Sequence, residues 1–115
     1  MEGSDVFQWL KGLPSKDLSR GRTKEDIEIT GAYNVVDCWR ARFNALLVST
    51  QFVNYLDLSW GRFDEVVLIG RFNKVDLANA VIGTLRIDDP RTEIIELDKT
   101  SAKIAEIFEP KRGNK

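Results

Sequence analysis

The chain has 115 residues, a formal net charge of −1, 43% hydrophobic and 30% charged residues, one cysteine and no histidine. This is one domain's length, enough to bury roughly two-thirds of the surface the unfolded chain exposes. The missing histidine excludes Ser-His-Asp and Cys-His catalysis and histidine-ligated zinc, and the single Cys38 excludes an intrachain disulfide.

No apolar run approaches the ~20 residues of a membrane-spanning helix. The acidic, then amphipathic start is unlike a secretory signal, so a cytoplasmic location and no membrane partner are the expectation. With neither cofactor nor metal motif in view, a non-enzymatic protein is expected.

In chain order, Val6, Trp9, Leu10 and Leu13 recur at helical spacing, with Ser4 as cap and Pro14 as stop, and predict an N-terminal amphipathic helix within 1–13. Residues 14–26 are charged and apolar-poor and read as a linker. A single α+β domain is expected over 27–110, followed by a basic tail at 111–115. Ile27 and Ile29 alternate with polar neighbours, as in a half-buried strand. Val36, Trp39, Phe43, Leu46, Leu47 and Thr50 follow three- and four-residue steps and predict a long helix beginning near Asn34. Residues 51–60 and 65–72 read as two strands joined by a Gly-containing turn. Leu77, Ala78, Val81, Ile82 and Leu85 form a second helical stripe. Residues 92–98 read as a strand, and Ile104, Ile107 and Phe108 as a short last helix stopped by Pro110. No internal repeat stands out.

The order β-α-β-β-α-β between the terminal helices predicts a ferredoxin-like fold, an antiparallel sheet with two helices on one face. Two alternatives are that 75–87 is strand and that 65–108 is half of a parallel α/β sheet.

The segments "VVLIGRFNKVDL" and "EIIELDKTSAK" resemble the two guanine-reading segments of Ras-like GTPases, in the same order and 28 residues apart from Asn73 to Ser101. The resemblance implies that Asp76 reads the base, that Asn73 and Lys74 brace it, and that Ala102 and Lys103 close over it. It covers about 40 residues. The chain has no G-x-x-x-x-G-K-[ST] phosphate loop. In turns, the same residue types also serve as helix caps.

Other constellations suggest contacts rather than chemistry. Lys16, Arg20, Arg22 and Lys24 in the loop, with Arg71, could grip phosphates beside an aromatic-bearing sheet, which makes RNA or other nucleic acid a candidate partner. Arg40 and Arg42 flank Trp39 and Phe43 and could form an anion site or pair with nearby acids such as Asp37. Cys38 reads as a small core hydrophobe. The sheet face left open by the helices would carry Val53, Tyr55, Val67, Ile69 and Ile94, an interface for a protein partner or a second copy. A protein-interaction or adaptor domain, homodimeric through that face, is therefore the leading expectation. Nucleic-acid binding is the second and guanine-nucleotide binding the third.

Overall fold

The computed structural model describes residues 12–109, and among them every regular element is a strand. The eight strands are β1 (Ser15–Asp17), β2 (Asp26–Asp37), β3 (Arg42–Asp57), β4 (Arg62–Ile69), β5 (Arg71–Asp76), β6 (Val81–Arg86), β7 (Glu93–Asp98) and β8 (Lys103–Phe108). Every strand pairing is parallel. The chain winds as a parallel β-solenoid in which each coil pairs only with the coils above and below it.

The winding follows from a turn that recurs every 19 to 22 residues, at Asp17, Asp37, Asp57, Asp76 and Asp98. These aspartates stack in register, one per coil. In each turn Asp Oδ1 accepts the backbone N–H two residues on, from Ser19, Trp39, Ser59, Ala78 and Thr100, at 2.9–3.0 Å. The hydroxyls of Ser19, Ser59 and Thr100 donate to the same oxygen at 2.6–2.7 Å. The next residue takes positive φ (Arg20 62°, Arg40 58°, Trp60 62°, Asn79 62°, Ser101 57°). A small residue follows (Gly21, Ala41, Gly61, Ala80, Ala102), and its N–H closes the turn on the carbonyl three residues back. Positive φ at the third residue of a four-residue turn is otherwise a glycine position. Here the aspartate's side-chain bonds hold non-glycine residues in it.

Between turns the inward residues alternate steps of two and three, as in Val36, Cys38, Ala41, Phe43, Leu46 and Val48, all buried. This five-residue period lets each inward position stack on its equivalent. One such column is Val36, Leu56, Val75 and Leu97, and another is Phe43, Phe63, Ile82 and Ile104. The Phe43 and Phe63 rings meet edge to face, 5.9 Å between centroids. Burying a Leu, Ile or Phe contributes roughly 1.5–3 kcal/mol, so these columns supply the main cohesion between coils. At the other bend of the coil Gly31 and Gly70 take φ of 108° and 125°. A Cβ on Gly70 would lie 2.0 Å from the Thr50 carbonyl oxygen, so only glycine lets these rungs approach.

The α+β, ferredoxin-like expectation is overturned. The helix expected from Asn34 is the end of β2 and the first half of β3, and the stripe at 77–85 is a turn followed by β6. The expected last helix is β8, and the two expected hairpin strands do not pair antiparallel with each other: 65–69 stacks in parallel on 45–49, and 53–57 stacks in parallel on 72–76. The reading of 65–108 as half of an α/β sheet fails with them, since it too needs a helix. The reading of 75–87 as extended chain is closer, since β5 ends and β6 lies within it. The charged linker at 14–26 contains β1 and the first aspartate turn, bonded to the next coil. Most of the expected N-terminal helix and all of the 111–115 tail lie outside the described residues. No helix among the described residues is long and apolar enough to cross a membrane.

Candidate nucleic-acid interface

Stacking converts residues 20 apart in sequence into neighbours about 4.8 Å apart, the spacing between paired strands. At the residue that leaves each aspartate turn, this produces the column Arg22, Arg42, Arg62, Val81 and Lys103. Two positions earlier, at the positive-φ residue, stand Arg20, Arg40 and Trp60 on successive coils. The Arg20 and Arg40 guanidiniums each lie 4.9 Å from the Trp39 ring centroid, and Arg40 also lies 5.7 Å from the Trp60 ring. Trp60 remains 53% exposed.

Like charges on directly opposed rungs destabilise a sheet unless acids intervene. None of Arg20, Arg22, Arg40, Arg42 and Arg62 forms an ion pair among the described residues. The ion pairs formed among the described residues use Arg71, Lys74, Arg86 and Arg91. The aspartates three residues before Arg20 and Arg40 are occupied by their own turns. For Asp17 those bonds, from the Ser19 hydroxyl first and then the Ser19 N–H, hold the carboxyl below its ordinary value.

Beside the basic column runs an open groove of about 1070 Å³ along the stack, bordered by Lys24, Arg42, Arg62 and Lys103. The residues lining it become smaller toward the last coils, as Asn44 and Asp64 give way to Gly83 and Ala105 at equivalent positions. Gly83 also has a packing reason, since a Cβ there would meet the Asp64 carbonyl oxygen at 2.5 Å.

Among the residues expected to touch nucleic acid, Arg20, Arg22 and Lys24 do converge on this corner. Lys16 stacks above Val36 in the inward column, and Arg71 lies at the far bend, paired with Glu93 at 3.3 Å. The sequence reading missed that Arg40, Arg42, Arg62 and Lys103 join the group. The repeated aspartate turn was the signal that places them there.

The expected interface patch is dispersed. Val53 is fully buried in the core, and Ile94 packs against the core at the end of the stack. Tyr55 faces outward on β3 and donates to Asp76, whereas Val67 and Ile69 lie half-buried on β4, across the coil. The guanine-reading set is not assembled into a loop. Asn73, Lys74 and Asp76 lie within β5, Ala102 closes the last turn and Lys103 begins β8. Asp76 already accepts from the Ala78 N–H and the Tyr55 hydroxyl, so both its oxygens are engaged. Asn73 instead belongs to an asparagine ladder, donating to Asn54 at 2.7 Å as Asn54 donates to Asn34 at 3.1 Å. Cys38 is buried, which pushes its thiol up to about 12, and the stacked aspartates Asp37 and Asp57 add to the shift. No cluster of metal-ligating side chains occurs among the described residues. Comparison with protein-family models, with curated proteins and with solved structures finds no match.

Proposed function

We propose that the chain is a non-enzymatic binding module whose basic corner takes single-stranded nucleic acid along the groove. The observation that carries this is the column Arg22, Arg42 and Arg62 on consecutive rungs without an acidic partner among the described residues. A fold that stacks like charge on like charge gains from a ligand that neutralises it. Backbone phosphates do so at regular intervals, releasing their counterions. The exposed Trp60 ring beside Arg40 offers a face on which a base can stack, the second element of single-strand recognition. The overall charge of −1 means that any such attraction is local to this corner.

The test is fluorescence anisotropy with a labelled single-stranded RNA or DNA oligonucleotide at low salt. Binding that weakens as salt rises, and that falls at least tenfold in an Arg22→Ala/Arg42→Ala/Arg62→Ala variant with an unchanged circular dichroism spectrum, is expected. Absence of binding at about 100 μM protein, the weak end of non-specific affinity, overturns the reading. Protein contact has separate support, since the last coil leaves Ile95, Ile107 and Phe108 exposed.

A further inference from the structure

The two ends of the stack differ. Coil five, built from β7 and β8, pairs on its upper side with β5 and β6, and among the described residues its lower side has no partner strand. Two rows of backbone donors and acceptors are therefore open there. The core column residues Ile94, Leu97 and Ile104 are only partly buried, and Ile107 is 38% exposed. An uncovered edge of parallel strands is a template for further pairing.

We propose that this end is the interface of a two-fold homodimer, with coil five of one copy stacked on coil five of another. Each coil closes on itself, so β7 and β8 run in opposite senses on opposite sides of the core, joined by the Asp98 turn. A two-fold axis in the end plane, parallel to the strands, then sets β7 of one copy antiparallel to β8 of the other. Aligning the two turns brings the apolar columns into register, with Leu97 opposite Ile104 and Ile94 opposite Ile107 of the second copy. The same alignment sets Asp98 opposite Lys103, a pair of opposite charge. Head-to-tail stacking would set Asp98 on Asp17 and Lys103 on Arg22, like-charge contacts of the kind the stack already holds between its own coils, and would form no pair of opposite charge there. The closed arrangement thus uses up the open edges without building a fibre.

The register has a direct test. Ile95 and Glu106 are exposed on opposite outer faces of one copy and become directly opposed across the dimer. A chain carrying Ile95→Cys and Glu106→Cys should oxidise to a covalent dimer, with the buried Cys38 taking no part. Light scattering should give twice the 13.1 kDa chain mass, falling to one chain mass in Ile107→Lys. A monomer at about 100 μM without cross-links overturns the proposal. Cross-linking in a lone Ala105→Cys variant but not in the double variant overturns it too, because that outcome pairs β8 with β8. Should Ile107→Lys fail to fold, the cross-link still decides. Neither readout depends on nucleic acid.

Discussion

The Tyr55 hydroxyl donates to Asp76 Oδ2 at 2.9 Å, bridging two coils beside the aspartate column. Asp76 uses its other oxygen for its own turn, so one carboxylate links the turn to the neighbouring rung. Tyr55→Phe should cost about 1 kcal/mol in urea unfolding. Burial first, and the bond to Asp76 second, raise the Tyr55 hydroxyl above its ordinary value of 10.0. The folded chain therefore holds this proton where the unfolded chain has lost it. Stability should be intact below pH 10 and fall as pH rises beyond it. Tyr55→Phe should remove that part of the alkaline loss, read as the change in unfolding midpoint between pH 9 and pH 11.

The aspartate turns should tolerate loss of charge better than loss of the acceptor. Asp57 accepts from the Ser59 N–H and hydroxyl while lying between Asp37 and Asp76. Asp57→Ala should destabilise by about 1–2 kcal/mol, the range for losing a capping acceptor. Asp57→Asn keeps an acceptor and relieves like-charge stacking, so it should cost about half as much or less. Bonds from the Thr100 hydroxyl and N–H hold Asp98 below 3.8. Its contribution is therefore present above that value and lost as pH falls through the lowered one. Thr100→Val should make the acid transition less steep.

Two glycines should respond differently to alanine. Gly70 combines φ of 125° with a 2.0 Å clash against the Thr50 carbonyl oxygen, so Gly70→Ala should cost about 3 kcal/mol or more. Gly61 would press its Cβ on the Phe63 ring at 2.6 Å, but Ala41 and Ala80 occupy the same place on the coils above and below. Gly61→Ala should cost about 1 kcal/mol, the scale of mild overpacking. Equal costs for the two would contradict the stacked geometry.

Thr50 carries a buried hydroxyl with no hydrogen-bond partner among the described residues. Valine has nearly the same shape and nothing to desolvate. Thr50→Val should therefore stabilise the fold by about 0.5–1 kcal/mol in thermal or urea unfolding. A destabilised variant would mean that this hydroxyl is bonded in solution.

Parts of this architecture were legible in the sequence and parts were disguised. The extended character of 26–30, 65–72 and 92–98 was readable because Ile27, Ile29 and the 66–69 run are β-formers. The helices were drawn from coincidence. Inward steps of three and two put Val36, Phe43 and Leu46 at helix-compatible spacings, while Trp39 and Leu47, included in the same stripe, actually point away from the core. Pairs of consecutive outward residues, such as Asn54–Tyr55 and Asp64–Glu65, break the alternation that marks a strand, so β3 looked helical in one half and phase-shifted in the other. Trp60 fell at the end of the strand read over 51–60, although it occupies a positive-φ turn position. The basic site was half visible, through Arg20, Arg22 and Lys24. Its other members lie one and two coils away, and nothing short of the repeat brings them together. An aspartate followed four residues later by glycine or alanine at 17, 37, 57, 76 and 98 was the available signal.

Every functional statement depends on coils stacking in parallel so that Arg22, Arg42 and Arg62 share one column. Proton NOE spectroscopy on labelled protein tests this most directly. The account predicts backbone contacts between Leu47 and Val67, and between Val67 and Arg86, with no helical contacts across 34–50 or 75–87. Sequential amide–amide and three-residue α-to-amide contacts through either segment would contradict it.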